Sequence, residues 1–168
     1  MGNLILIGFM GSGKSEIGRR LAAISGFAFL DTDALIEAQT GKKIADIFHD
    51  HGESHFRDLE SALCRSLAVH KNTVIATGGG MPIKSENQTF LKNAGTVFFL
   101  SAPKEILYQR VKHSQNRPLL KNFDMLFDQR QPIYEKTADQ IIMTEGRRPG
   151  EVAKEIWALY GKLDINGN

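Results

Sequence analysis

The sequence predicts an α/β domain in which one parallel sheet carries helices on both faces. Three observations lead there. Five short apolar runs, at residues 4–7, 27–30, 73–77, 96–100 and 140–144, are long enough for buried strands and too short for helices. The stretches between them space their apolar residues at helical intervals, so strand and helix alternate along the chain. The first run also passes directly into a glycine-rich loop and then a helical pattern, the order in which such a loop binds phosphate.

Leu4-Ile5-Leu6-Ile7 is the first strand, and Gly8-Phe9-Met10-Gly11-Ser12-Gly13-Lys14-Ser15 fills G-x-x-x-x-G-K-[ST] without a gap. Ile17, Leu21 and Ile24 then mark a helix over 16–24. A polyphosphate needs several backbone N–H groups converging on it, and glycines let the backbone reach positive φ without a Cβ clash. The helix that follows aims its N-terminal N–H groups at the anion. Lys14 adds a charge that reaches the β- and γ-phosphates, and the Ser15 hydroxyl suits a Mg²⁺ ion. Gly11, Ser12, Gly13, Lys14, Ser15 and Glu16 are thus the expected nucleotide contacts. Glu16 stands where a small hydroxyl residue is common, but a carboxylate in a first turn suits the helix dipole.

Phe27-Ala28-Phe29-Leu30 reads as the second strand, with Asp31-Thr32-Asp33 at its carboxyl end, where ligands bind in open α/β sheets. A short helix over 34–40 closes at Gly41, and Ile44, Ile47 and Phe48 start another that breaks near Gly52. Leu59, Leu63 and Leu67 form a stripe on a helix from Phe56 to about residue 70, with Arg57 at its border and Glu60 one turn on. The third strand, 73–77, runs into Gly78-Gly79-Gly80. A helix over 84–93 precedes the fourth strand, after which Ser101 suits an N-cap and Pro103 a first turn of a helix to about residue 112. Residues 113–122 have no periodicity and read as a mobile flap. A helix over 123–138 carries Arg130 and must bend or stop at Pro132; after the fifth strand, a basic turn at 147–150 leads to a closing helix over 151–159.

At 168 residues the chain makes one domain with a single core. A net charge of +2 implies neither nucleic acid nor membrane as a partner. The single cysteine, Cys64, excludes an internal disulfide framework and suits a reducing compartment. No apolar run approaches bilayer length, and the first strand begins too early to leave room for a signal peptide, so a cytoplasmic monomer is expected. His51 and His55 flank Glu53, but the zinc-protease pattern places its glutamate beside the first histidine. His49, His51 and His55 therefore read as surface residues. Cys64 sits beside Leu63 on a helix and reads as packing.

Taken together, the 8–15 loop, Asp31-Thr32-Asp33, Ile47-Phe48, Gly52-Glu53, Phe56-Arg57, Glu60, the triple glycine, Arg117-Pro118-Leu119-Leu120 and Arg130 with Tyr134 resemble the shikimate kinase family. The resemblance runs from residue 4 to about 150. It implies transfer of the ATP γ-phosphate to the 3-hydroxyl of shikimate, giving shikimate 3-phosphate on the path through chorismate to aromatic amino acids. It also implies a three-layer P-loop kinase fold with strand order 2-3-1-4-5, a substrate-binding segment over about 32–60, and a lid over about 112–122.

The same resemblance distributes the roles. Lys14, Asp33 and Arg117 would be catalytic, with Asp33 receiving the hydroxyl proton and Arg117 swinging onto the transferring phosphate. Ser15 and Asp31 would hold Mg²⁺. Arg57 and Arg130 would grip the substrate carboxylate, since a guanidinium fork matches it with two bonds. Gly78, Gly79 and Gly80 would bring backbone N–H groups to the substrate, and Glu60 would orient Arg57. Arg110 and Arg148 would flank the adenine, although no residue separates the second arginine from Pro149 as the family's pattern has it. Plainer alternatives stand beside these: the two aspartates could simply cap the next helix, and the arginines could be solvated. A gluconate-type sugar-acid kinase would share the loop, but the arginine pair and triple glycine favour shikimate; no N-K-x-D sequence supports a GTP switch.

Overall fold

The apolar runs pair as five parallel strands in the order β2-β3-β1-β4-β5. The computed structural model describes residues 2–113 and 118–166. The strands are β1 (Asn3–Ile7), β2 (Ala28–Asp31), β3 (Thr73–Ala76), β4 (Gly95–Ser101) and β5 (Gln140–Met143). The helices are α1 (Lys14–Ser25), α2 (Thr32–Thr40), α3 (Ile44–Ser66), α4 (Ser85–Ala94), α5 (Lys104–Val111), α6 (Phe123–Thr137) and α7 (Pro149–Asn166). β1 lies at the centre, with Ile5 opposite Ile75 on one side and Val97 on the other.

Alternation along the strands divides the core into two. Ile5, Ile7, Ile75, Val97 and Phe99 face a cluster with Ile47, Leu63 and Leu67 of the α3 region, Leu91 of α4 and Tyr134 of α6. Leu4, Leu6, Val74, Phe98, Leu100 and Ile142 face the other way, onto Ile17 and Leu21 of α1 and Val152 and Ile156 of α7. The sheet is therefore sandwiched between helices, as the resemblance implies, and the central strands β3, β1 and β4 are apolar on both faces because both are covered, whereas edge strand β5 leaves Ile141 and Met143 exposed.

Local differences from expectation have physical causes. β2 starts one residue late, because Phe27 turns its ring edge-on to Trp157 at 5.5 Å and joins the α7 side. Ser101 is the buried last residue of β4, where its carbonyl accepts from Thr144 N–H; Pro103 stands at the head of α5, so the N-cap expected at Ser101 is corrected. α6 runs through Pro132 without a boundary, giving up only the bond that a proline cannot donate. Gly52 interrupts α3 as expected, with φ of 79°, and the α3 helix ends at Ser66 in a short 3₁₀ turn over Leu67–Val69. α7 begins at Pro149 and is longer than the periodicity suggests. Residues 118–122 of the expected lid form a 3₁₀ turn, while 114–117, including Arg117, lie outside the described residues.

Candidate active site

The loop between β1 and α1 has the backbone that its glycines allow. Gly8, Gly11 and Gly13 have φ of 148°, 81° and 89°, and Gly13 stands at the head of α1. A Cβ on Gly11 would come within 2.9 Å of Val111 Cγ1, so the loop also depends on glycine to lie close to α5. Lys14 Nζ donates to the carbonyls of Gly8 at 2.8 Å and Phe9 at 3.0 Å, which stretches the ammonium back over the loop. Ser12 is buried, whereas Lys14, Ser15 and Glu16 line the cleft; Glu16 also pairs with Arg20 at 2.7 Å across one helical turn.

β1 and β2 end side by side around β3, and this brings Ser15 to Asp31. The Ser15 hydroxyl donates to Asp31 Oδ2 at 2.5 Å. Asp31 Oδ1 accepts from the N–H groups of Asp33 at 3.1 Å and Ala34 at 3.3 Å, so Asp31 also caps α2. The cap uses Oδ1, whereas Oδ2 meets the Ser15 hydroxyl. Two adjacent hard oxygen donors on a cleft wall fit Mg²⁺ in type.

The triple glycine is shaped by its neighbours. Gly78 N–H donates to Thr32 Oγ1 at 2.8 Å, and Gly79 carbonyl accepts from Tyr134 hydroxyl at 2.6 Å. A Cβ on Gly78 would collide with the Asp33 carboxylate, and one on Gly80 with the Arg57 guanidinium. Arg130 Nη1 lies 3.7 Å from the corresponding point at Gly79. Asp33, Arg130 and Arg57 thus converge on three successive residues, from α2, α6 and α3.

Arg57 donates from Nη1 to Glu60 Oε2 at 2.6 Å and from Nε and Nη2 to Glu53 Oε1 at 3.2 and 2.8 Å. Burial pushes the Glu60 carboxyl above the usual glutamate range; Arg57 pulls it back and the nearby Asp33 charge raises it further. Arg130 is 4% exposed, lies 5.9 Å from the Phe9 ring centroid, and has a buried Nε without a partner among the described residues. Burial pushes the neighbouring Tyr134 hydroxyl up to about 12, with Arg130 opposing the shift. Phe48 and Phe56, whose rings stand 4.9 Å apart, form the apolar wall of the same cleft.

These groups surround one cleft of about 850 Å³ that runs from Lys14 and Ser15 past Asp31 and Asp33 to Arg57 and Arg130. Arg110 lies on the loop side, donating to Gly11 carbonyl at 3.1 Å and to Thr144 carbonyl at 3.3 Å. Arg148 is placed elsewhere: 85% exposed, it is bound at 2.7 Å to Glu151, whose carboxylate also accepts from the Arg148 N–H at the head of α7, and it does not line the cleft. His49, His51 and His55 are exposed, and no metal-holding cluster of three or more groups occurs among the described residues. The sequence assigns no site role to Glu53 or Thr32. Glu53 stands one helical turn before Arg57, a spacing that signals a pair; a buried threonine such as Thr32 leaves no comparable sign.

A phosphate loop at the end of a central parallel strand, facing paired guanidinium groups across a cleft, defines a P-loop kinase acting on a small acidic molecule. The family model described as shikimate kinase matches residues 10–160. The chain is 46% identical to the shikimate kinase of Persephonella marina, over 93% of this chain and 97% of that one. With the shikimate kinase of Thermodesulfovibrio yellowstonii it shares 43% identity over 97% of both chains. The solved structure of Acinetobacter baumannii shikimate kinase in complex with shikimate superposes with a TM-score of 0.90 at 37% identity, covering 95% of this chain and 92% of that one. The chain belongs to the shikimate kinase family, and with it to the ATP-dependent kinases that phosphorylate a hydroxyl of shikimate.

Proposed function

We propose that the residues gathered in the cleft divide the reaction as follows. The 11–16 loop holds the ATP phosphates, with Lys14 against the β- and γ-groups. Ser15 and Asp31 hold a Mg²⁺ ion, which neutralises phosphate charge when bound. Arg57 and Arg130 receive the shikimate carboxylate, and the backbone of Gly78, Gly79 and Gly80 lies along the ring. Asp33 accepts the proton of the 3-hydroxyl as its oxygen bonds to the γ-phosphorus and the bond to ADP breaks.

Arg117 closes over the transferring phosphate with the 112–122 lid and keeps water from competing as acceptor. Arg110 borders the adenine; Arg148 does so only if its contact with Glu151 is given up. The segment over 32–60 is the substrate-binding part of a single domain. The protein works as a cytoplasmic monomer; among the described residues no helix is long and apolar enough to cross a membrane.

The observation that carries this reading is the convergence of Asp33, Arg130 and Arg57 on Gly78–Gly80, across the cleft from Lys14 and Ser15. An ADP-release assay with ATP, Mg²⁺ and shikimate, repeated with gluconate, tests it: turnover is expected with shikimate alone. Asp33→Asn is expected to bind both substrates and to lose roughly a hundredfold or more in kcat. Full activity in that variant would remove Asp33 from the mechanism.

A further inference from the structure

Arg57 is held from two sides. Glu60 Oε2 accepts from Nη1, while Glu53 Oε1 accepts from both Nε and Nη2. The flat face of the guanidinium lies against Gly80, whose missing side chain makes the room. A guanidinium has five N–H donors in one rigid plane. Three are engaged by the two glutamates, which leaves one N–H on each terminal nitrogen. Two such donors match the two oxygens of a carboxylate.

We propose that Glu53 is a positioning residue for the acceptor. Together with Glu60 it locks the Arg57 guanidinium in one plane, with one N–H of Nη1 and one of Nη2 left for the substrate carboxylate. This rests on the reading of Arg57 given above. Glu60 alone would leave the plane free to pivot about a single bond to Nη1. Glu53 engages the guanidinium on its Nε–Nη2 side and removes that freedom. The break at Gly52 puts Glu53 at the head of the second segment of α3, one turn before Arg57, where an acidic residue also suits the helix end. The clamp is built asymmetrically: the side chains of Glu60 and Arg57 are 1% and 11% exposed, that of Glu53 is 58% exposed, and Glu53 stands outside the cleft lining.

Geometry and charge give opposite signs here. Glu53 adds a negative charge near a site for an anion, so on charge alone its removal would tighten shikimate binding. As an orienting group, its removal weakens it. Glu53→Ala is expected to raise the KM for shikimate roughly tenfold, to change kcat far less, and to leave the KM for ATP unchanged. Glu53→Gln keeps an acceptor oxygen for Nε and Nη2 and should recover most of the loss. In an Arg57→Ala background the Glu53→Ala change should add nothing, because its effect passes through Arg57.

An unchanged or lowered shikimate KM in Glu53→Ala overturns the proposal, as does full additivity with Arg57→Ala. If Arg57→Ala alone leaves the shikimate KM where it was, the reading of Arg57 itself fails, and that outcome is distinct from the first two.

Discussion

Gly78 and Gly80 carry no side chains because other side chains fill the space. A Cβ at Gly80 would lie 2.5 Å from Arg57 Cζ, and one at Gly78 would lie 3.0 Å from Glu60 Oε1 and closer still to Asp33. Gly80 has φ of −90°, which alanine adopts freely, so substitution there acts by displacement and not by backbone strain. Gly80→Ala should push the Arg57 guanidinium off its seat and raise the shikimate KM roughly tenfold or more, with the ATP KM preserved. A Gly80→Ala enzyme with a normal shikimate KM would mean that the guanidinium can move without cost. The triple glycine reads from sequence as a close approach of backbone to ligand; its neighbours add a second reason, visible only when α2 and α3 have been folded over it. The phosphate loop was legible because its determinants are contiguous. Arg57 and Arg130 lie 73 positions apart in sequence, and their meeting is a tertiary fact that spacing alone does not contain.

At the scale of elements, the corner between α2 and α3 forms the outer wall of the cleft, and one residue ties it. Glu37 of α2 accepts from the N–H of Ile44, the first residue of α3, at 3.0 Å and pairs with Lys43 at 3.0 Å. The bond from Ile44 N–H, then the Lys43 ammonium, holds the Glu37 carboxyl below the ordinary glutamate range. A depressed folded-state pKa stabilises the fold above the unfolded pKa, and this contribution is lost as pH falls through the folded value. Glu37→Ala should therefore cost about 1 kcal/mol in urea unfolding at neutral pH, the usual worth of a helix N-terminal cap. The gap from the parent should close in strongly acidic buffer, and a gap that persists there would assign the loss to packing. Elements were the most legible level, since each strand and helix follows from its own apolar period. The failure at Ser101 came where a local preference met tertiary demand, since β4 needs Ser101 for its pairing with β5; of the two outcomes open at Pro132 the boundary is ruled out, and the full length of α6 carries Arg130 to the cleft and Tyr134 to the Gly79 carbonyl.

For the whole molecule, the question is whether the acceptor side can open without the nucleotide side, and Cys64 reports on it. It is 1% exposed, its thiol approaches Asn87 carbonyl at 3.6 Å, and burial pushes its pKa up to about 12, so in the folded state it is sterically and chemically inert. It shares α3 with Arg57 and Glu60, yet it packs in the same cluster as Ile5 and Ile7 of β1, the strand that feeds the phosphate loop. Unpacking α3 to free Cys64 would strip the sheet face that positions the loop, so exposure should require a largely global opening. Thiol labelling should then be slow and should track the unfolded population. By mass action, an ATP analogue at about a hundred times its Kd should slow labelling about a hundredfold, and shikimate at the same multiple of its own Kd should do the same. Protection by shikimate but not by the nucleotide would show that α3 opens as a separate unit, and the two halves of the cleft would then be thermodynamically uncoupled.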